Sequence, residues 1–286
     1  MWRGLAADMR LLTYLLGALV GASSSAALAC SATTPCTVEA GEYFIEMPTA
    51  AEGAPPAMMF IHGFGGSGEG VFRNRGMVDV MLARGYAVVA PSGLKMQGRN
   101  GGSWSFHPDR PQRRDEIAFL TSVRDDVIAQ HGIDPERIVL SGFSIGGSMT
   151  AYLACAAPDS FAAYAPLGGN FWRPHPEGCE GPVRMLHTHG WRDGTVPLEG
   201  RVLRGSDARD PNALIQGDVF EALSIWRETN QCYQLKADAF ETTGPFMRRR
   251  WERCAPGSAL EFALFPGGHV IPQDWSDLVL DWFEGL

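Results

Sequence analysis

The sequence predicts an α/β fold with a mostly parallel central sheet flanked by helices. Three observations point there. Short apolar runs alternate with longer amphipathic ones, the pattern of strands joined by helices. Residues 142–146, Gly-Phe-Ser-Ile-Gly, form a Gly-x-Ser-x-Gly turn between an apolar run and a small-residue helical stretch. The 286 residues are 45% hydrophobic and 20% charged, enough apolar material for one large core and too much for a disordered chain.

Taken in order, the chain opens on an expected export leader, residues 1–29. Arg3 and Arg10 precede the apolar run Leu11 to Val20, which is too short to span a bilayer, and Ala27, Leu28 and Ala29 offer small residues for cleavage. Residues 30–286 are then read as one catalytic-sized α/β domain, secreted or periplasmic, with no stable membrane insertion once the leader is gone. Cys30, directly after the cleavage point, raises lipidation as an alternative. Parity argues against it: Cys30, Cys36, Cys155, Cys179, Cys232 and Cys254 make an even set that an oxidising compartment lets pair, and lipidating Cys30 would orphan Cys36. Six cysteines allow fifteen connectivities. Sequential pairs are expected: Cys30 with Cys36, Cys155 with Cys179, Cys232 with Cys254.

Strands are expected at Ala57 to Ile61, Ala87 to Ala90, Arg137 to Leu140, Val183 to His187 and Glu261 to Phe265, each ending in a turn-forming stretch. Helical spacing marks Glu116 to Gln130, Ser148 to Ala156 and Trp275 to Phe283. Residues 92–114, 168–182 and 199–213 read as surface loops within one alternating series. Lys plus Arg total 24 against 32 Asp plus Glu, a net charge of -8, and no long basic stretch offers a phosphate-binding face. Nucleic acid is therefore excluded as an expected partner. The one basic cluster, Arg248 to Arg250 with Arg253, is read as the solvated face of a helical stretch.

The chemistry centres on Ser144. A nucleophile on a sharp strand-to-helix turn needs flanks without a Cβ, which Gly142 and Gly146 supply, and the turn aims the Ile145 N–H toward a developing anion. A serine hydroxyl needs a neutral imidazole to take its proton. Among seven histidines His269 fits, because it follows the last expected strand through Pro266, Gly267 and Gly268 and so falls at the carboxyl edge of the sheet. His107, His131 and His175 are read as solvated. The acid should lie between serine and histidine in chain order, and Asp193 does, with Asp207 and Asp210 as fallbacks. A second oxyanion donor is expected from Phe64, inside His62, Gly63, Phe64, Gly65, Gly66. His187 and His189 alternate on one face, yet no third ligand follows unless Asp193 leaves the triad, so no metal and no cofactor are expected. Trp191, and Trp104 with Phe106, are candidate substrate contacts.

These residues resemble the secreted poly(3-hydroxybutyrate) depolymerase and feruloyl esterase group of α/β-hydrolases, from about Cys30 to Phe283. The resemblance rests on His62 to Gly66, on Ile133 to Arg137 ahead of Gly142 to Gly147, on His189 to Pro197, and on Gly267 to His269. It implies an α/β-hydrolase fold, a triad of Ser144, Asp193 and His269, cysteine pairs near these positions, and hydrolysis of a carboxylic ester. Poly(3-hydroxybutyrate) or its oligomers are the expected substrate, with feruloyl or acetyl esters of plant cell-wall polysaccharide as the alternative. A non-catalytic binding module is the reading from another class, disfavoured by a complete triad.

Overall fold

A computed structural model describes residue 1 and residues 30–49, 53–203, 207–210 and 213–286. The expected leader therefore lies outside the described residues, apart from Met1. Ten strands form the main sheet: β1 (Cys36–Val38), β2 (Gly41–Glu46), β3 (Ala57–Ile61), β4 (Ala87–Pro91), β5 (Ile138–Phe143), β6 (Ala163–Leu167), β7 (Arg184–Gly190), β8 (Ala239–Thr243), β9 (Phe246–Trp251) and β10 (Ala259–Phe265). Their order is β1-β2-β4-β3-β5-β6-β7-β10-β9-β8. The six strands from β4 to β10 in that order run parallel, and both flanks are antiparallel.

Five of the six parallel strands match expected strands, because they are covered on both faces and read as apolar runs; β6, which carries Pro166, is not among those expected. Every residue of β3, β4 and β6 is buried. One face is packed by α3 (Glu116–His131), α4 (Ile145–Ala156) and α5 (Val219–Thr229), the other by α1 (Gly68–Val71), α2 (Arg75–Ala83) and α6 (Trp275–Glu284). Helix α3 starts where the Asp115 carboxylate accepts the Ala118 N–H at 2.9 Å, and it stops where Gly132 turns left-handed at φ 66°. Helix α6 buries Trp275, Leu278, Val279, Trp282 and Phe283, each contributing roughly 1.5–3 kcal/mol relative to an exposed side chain. Arg84 at the end of α2 donates to Asp281 and Glu284 of α6 and ties the two helices at their outer edge.

Three disulfides join Cys30 to Cys36, Cys155 to Cys179 and Cys232 to Cys254, the sequential pattern. The Cys30 thiol is thus occupied by Cys36. The basic cluster corrects the sequence reading in part: residues 246–251 are a strand, not a helix, and Arg248 is not solvated, whereas Arg249 and Arg253 are exposed and Arg250 partly so, as expected. Alternation along β9 turns Arg248 onto the buried carboxylate of Glu261 on β10, where its guanidinium donates from both Nε and Nη2. Such a two-pronged contact adds geometric specificity to the pairing of one positive with one negative charge. A second correction concerns His107, which is buried rather than solvated, its ring between the Arg173 carbonyl and the Asp109 N–H. His131 and His175 are both half-buried, His131 against the Cys30 and Cys36 sulfurs.

Candidate active site

The four loops that matter leave the carboxyl ends of β3, β5, β7 and β10, the edge where open α/β sheets place their sites. At the end of β5, Ser144 holds φ 59° and ψ -122°, a left-handed backbone that a non-glycine residue adopts only when its surroundings force it. Two glycines create those surroundings. A Cβ on Gly146 would lie 2.2 Å from the Ile61 carbonyl oxygen, and one on Gly142 would lie 2.5 Å from the Gly146 backbone. The Ser144 N–H is anchored on the Leu167 carbonyl of β6 at 2.9 Å.

The triad residues expected from the sequence meet. Ser144 Oγ donates to His269 Nε2 at 2.8 Å, and His269 Nδ1 donates to Asp193 Oδ2 at 2.7 Å. The partners are 125 and 76 residues apart in the chain. Strand β7 runs to Gly190, longer than expected, so Asp193 stands three residues past its end in a tight turn. Its Oδ1 accepts the N–H groups of Thr195 and Val196, both at 2.8 Å. Burial alone would raise the Asp193 pKa, but the hydrogen bonds from His269, Val196 and Thr195 outweigh it and hold the carboxyl below its ordinary value. The carboxylate therefore stays charged and ready to stabilise an imidazolium.

The acid and histidine loops are laced together. Trp191 N–H donates to the Phe265 carbonyl, Arg192 N–H to that of Gly267, and Arg192 Nε to that of Pro266, at 2.7, 2.9 and 2.8 Å. Phe143 was missed by sequence reasoning. Its ring lies 4.6 Å from the His269 ring, tilted by 33°, and so limits the imidazole from one side. Its position as the first variable residue of the Gly-x-Ser-x-Gly turn was the available signal.

The His62–Gly66 loop reaches the nucleophile through Gly63, where an added Cβ would sit 3.4 Å from Ser144 Cβ. Its first residue is clamped on three sides. His62 Nδ1 donates to the Gly63 carbonyl at 2.8 Å, its Nε2 accepts the Gly93 N–H at 2.9 Å, and its own carbonyl accepts Trp104 Nε1–H at 2.9 Å. Burial lowers the His62 pKa, in keeping with a neutral ring that must both donate and accept. Trp104 is thus corrected from substrate contact to scaffold: it is 5% exposed and its indole N–H is spent on the loop. Phe106 likewise packs on Tyr152 and Trp172. Trp191 is 59% exposed beside the acid, free to meet a ligand. His187 and His189, weighed as a metal pair, are instead bonded to each other, with nitrogens 3.0 Å apart.

A cavity of about 460 Å³ borders the Ser144 turn through Gly63 and Phe143, is bounded further by Phe60, Met77, Asn100 and Ile271, and is not lined by Ser144, Asp193 or His269 themselves. It mixes an apolar wall with amide and backbone polar groups, as small-molecule sites do.

Residues 43–206 match the model of the Phospholipase/Carboxylesterase family. The chain belongs to that family. The matched segment contains Ser144 and Asp193, while His269 lies beyond it. Among curated relatives of this carboxylesterase-family chain is the Probable feruloyl esterase C of Aspergillus terreus, 23% identical over 91% of this chain and 89% of that one. Feruloyl esterase C of Emericella nidulans is 32% identical over 42% of this chain, a stretch that is 40% of that protein, so the match spans less than half of the second relative. The solved acetyl xylan esterase of Aspergillus awamori shares the fold, with a TM-score of 0.62 and 17% identity over 86% of this chain and 94% of that one.

Proposed function

We propose that the protein is an exported serine carboxylic-ester hydrolase acting through an acyl-enzyme. The observation that carries this is the continuous hydrogen-bonded chain from Ser144 Oγ through His269 to Asp193. Ser144 attacks the ester carbonyl while His269 takes its proton, and Asp193 stabilises the imidazolium and fixes its tautomer. The N–H groups of Phe64 and Ile145 receive the oxyanion, the first on a clamped loop and the second at the start of α4, where the helix dipole favours negative charge. His269 then protonates the leaving alcohol and activates the water that frees Ser144. No cofactor enters these steps.

Export is supported by the leader-like residues 1–29 and by three disulfides, which persist in oxidising compartments. For the substrate, relatives bearing the name feruloyl esterase, and a fold neighbour named acetyl xylan esterase, favour acyl esters of plant polysaccharide. The hydroxybutyrate polyester reading rests on the motif resemblance alone. The deciding experiment measures turnover of methyl ferulate, acetylated xylan, p-nitrophenyl esters, hydroxybutyrate oligomers and poly(3-hydroxybutyrate) by the parent and by Ser144→Ala. Loss of about four to six orders of magnitude in Ser144→Ala is expected, with ferulate or acetyl release the best parent activity. Retained turnover in Ser144→Ala would sink the mechanism, and preferential release of hydroxybutyrate would move the substrate to polyester.

A further inference from the structure

Two buried histidines behind the acid take no part in the steps above. His187 and His189 project from the same face of β7, with rings stacked 5.3 Å apart at 25°. Their protons can be assigned from their partners. His189 Nε2 is 2.8 Å from the Val196 carbonyl oxygen, which can only accept, so Nε2 carries hydrogen. In a neutral ring Nδ1 is then the acceptor, and His187 Nε2, 3.0 Å away, must donate to it. His187 Nδ1 is left bare, buried without a partner among the described residues. Burial lowers the pKa of both rings, which agrees with both being neutral.

Val196 is the link to the site. Its carbonyl is held by His189, and its N–H donates to Asp193 Oδ1. With Oδ1 occupied by Val196 and Thr195, Oδ2 is the oxygen turned to His269. His189 Nε2 itself lies 3.6 Å from Oδ2, too long for a hydrogen bond, so its influence passes through Val196.

We propose that His187 and His189 are positioning residues for the acid: a proton-ordered pair that pins the Val196 carbonyl and thereby sets the rotation of the Asp193 carboxylate toward His269. This rests on the serine-hydrolase reading. A buried pair of neutral imidazoles costs more than an apolar pair would, because one nitrogen is left unsatisfied, and its return is a carboxylate held in one orientation.

The test is kinetic, on the full mature chain with an activated p-nitrophenyl ester. His189→Leu removes the donor to Val196 and is expected to lower kcat by about 10-fold to 100-fold with KM changed less than about twofold, since small misplacement of a catalytic group has that scale. In an Asp193→Ala background the same change should cost less than about twofold, because the residue it acts through is gone. His189→Gln can still donate to Val196 and should recover most of kcat, whereas His189→Asn, one methylene shorter, should not. The Gln and Asn pair keeps the test available should the leucine variant fail to fold. Parent-like kcat in folded His189→Leu or His189→Asn, an equal loss with and without Asp193, or no recovery with Gln would each overturn the proposal. Turnover that survives Ser144→Ala would overturn the hydrolase reading beneath it, and only that result touches both.

Discussion

The turn that carries the nucleophile and the turn that carries the acid sit two strands apart on one sheet edge, yet they are held rigid by different means. Around Ser144 the constraint is steric: backbone packs on backbone at Gly142 and Gly146, with no room for a single added carbon. Around Asp193 the constraint is polar: two N–H groups, a buried carbonyl and two histidines fix a carboxylate. A steric turn is insensitive to pH and breaks with any added volume. A polar turn tolerates volume better but depends on protonation and on each donor being present.

The largest expected effect tests the polar turn. Asp193→Asn keeps the shape but loses the charge and the tautomer control, and kcat/KM should fall by about four orders of magnitude while the far-ultraviolet circular dichroism is unchanged. A loss below tenfold would show that the acid turn matters for folding and not for chemistry. Gly146→Ala attacks the steric turn and should cost about 3 kcal/mol in denaturant midpoint analysis, since a Cβ there meets backbone that cannot swing aside. If it unfolds at the parent midpoint, the steric account of the nucleophile turn is wrong.

Acid sharpens the contrast further. His62, His187 and His189 have folded pKa values below the ordinary 6.5, through burial first. The unfolded chain takes up protons below that pH which the folded protein refuses, so their contribution is full above about pH 6.5 and declines as pH falls toward the folded values. Each can add up to about 1.4 kcal/mol of lost stability per pH unit in that window. His187→Phe should flatten the measured slope of stability between pH 7 and 5, and an unchanged slope would mean that His187 is protonated in the fold. The smallest effect belongs to the His62–Gly66 loop, proposed to donate an oxyanion N–H. Trp104→Phe deletes one buried hydrogen bond to His62 and should cost about 1 kcal/mol. Its kcat should fall severalfold if that bond also aligns Phe64.

Much of this was legible before the fold was known, and the pattern of what was not has a physical cause. Strands β3, β4, β5, β7 and β10 lie inside the parallel sheet and show as apolar runs, whereas β6, equally buried, was missed because its Ala-Tyr-Ala-Pro-Leu run holds a proline that argues against a central strand. The flanking β2, β8 and β9 are half-exposed or carry charge, and β9 reads Phe-Met-Arg-Arg-Arg-Trp, where an alternating burial pattern is masked by three adjacent arginines. Ser144, Asp193 and His269 could be ordered from the sequence because each follows a recognisable strand end. The neighbours that aim them could not: Phe143, His187, His189 and Val196 are apolar or histidine residues in strands or tight turns, and only their atoms' partners distinguish support from filler. Trp104 misled for the same reason, since an indole in a polar loop near a site can serve ligand or scaffold alike.

The hydrogen bond between Ser144 and His269 joins residues 125 positions apart, and the strand that delivers the histidine is hydrogen-bonded between β7 and β9. Pairings of such long sequence separation close slowly and late relative to local helices. During refolding, turnover should therefore return after helical circular dichroism has recovered, because β10 must be seated before any imidazole faces the serine. Catalysis is in this sense a completion signal: a partly assembled chain carries the nucleophile but is silent toward esters.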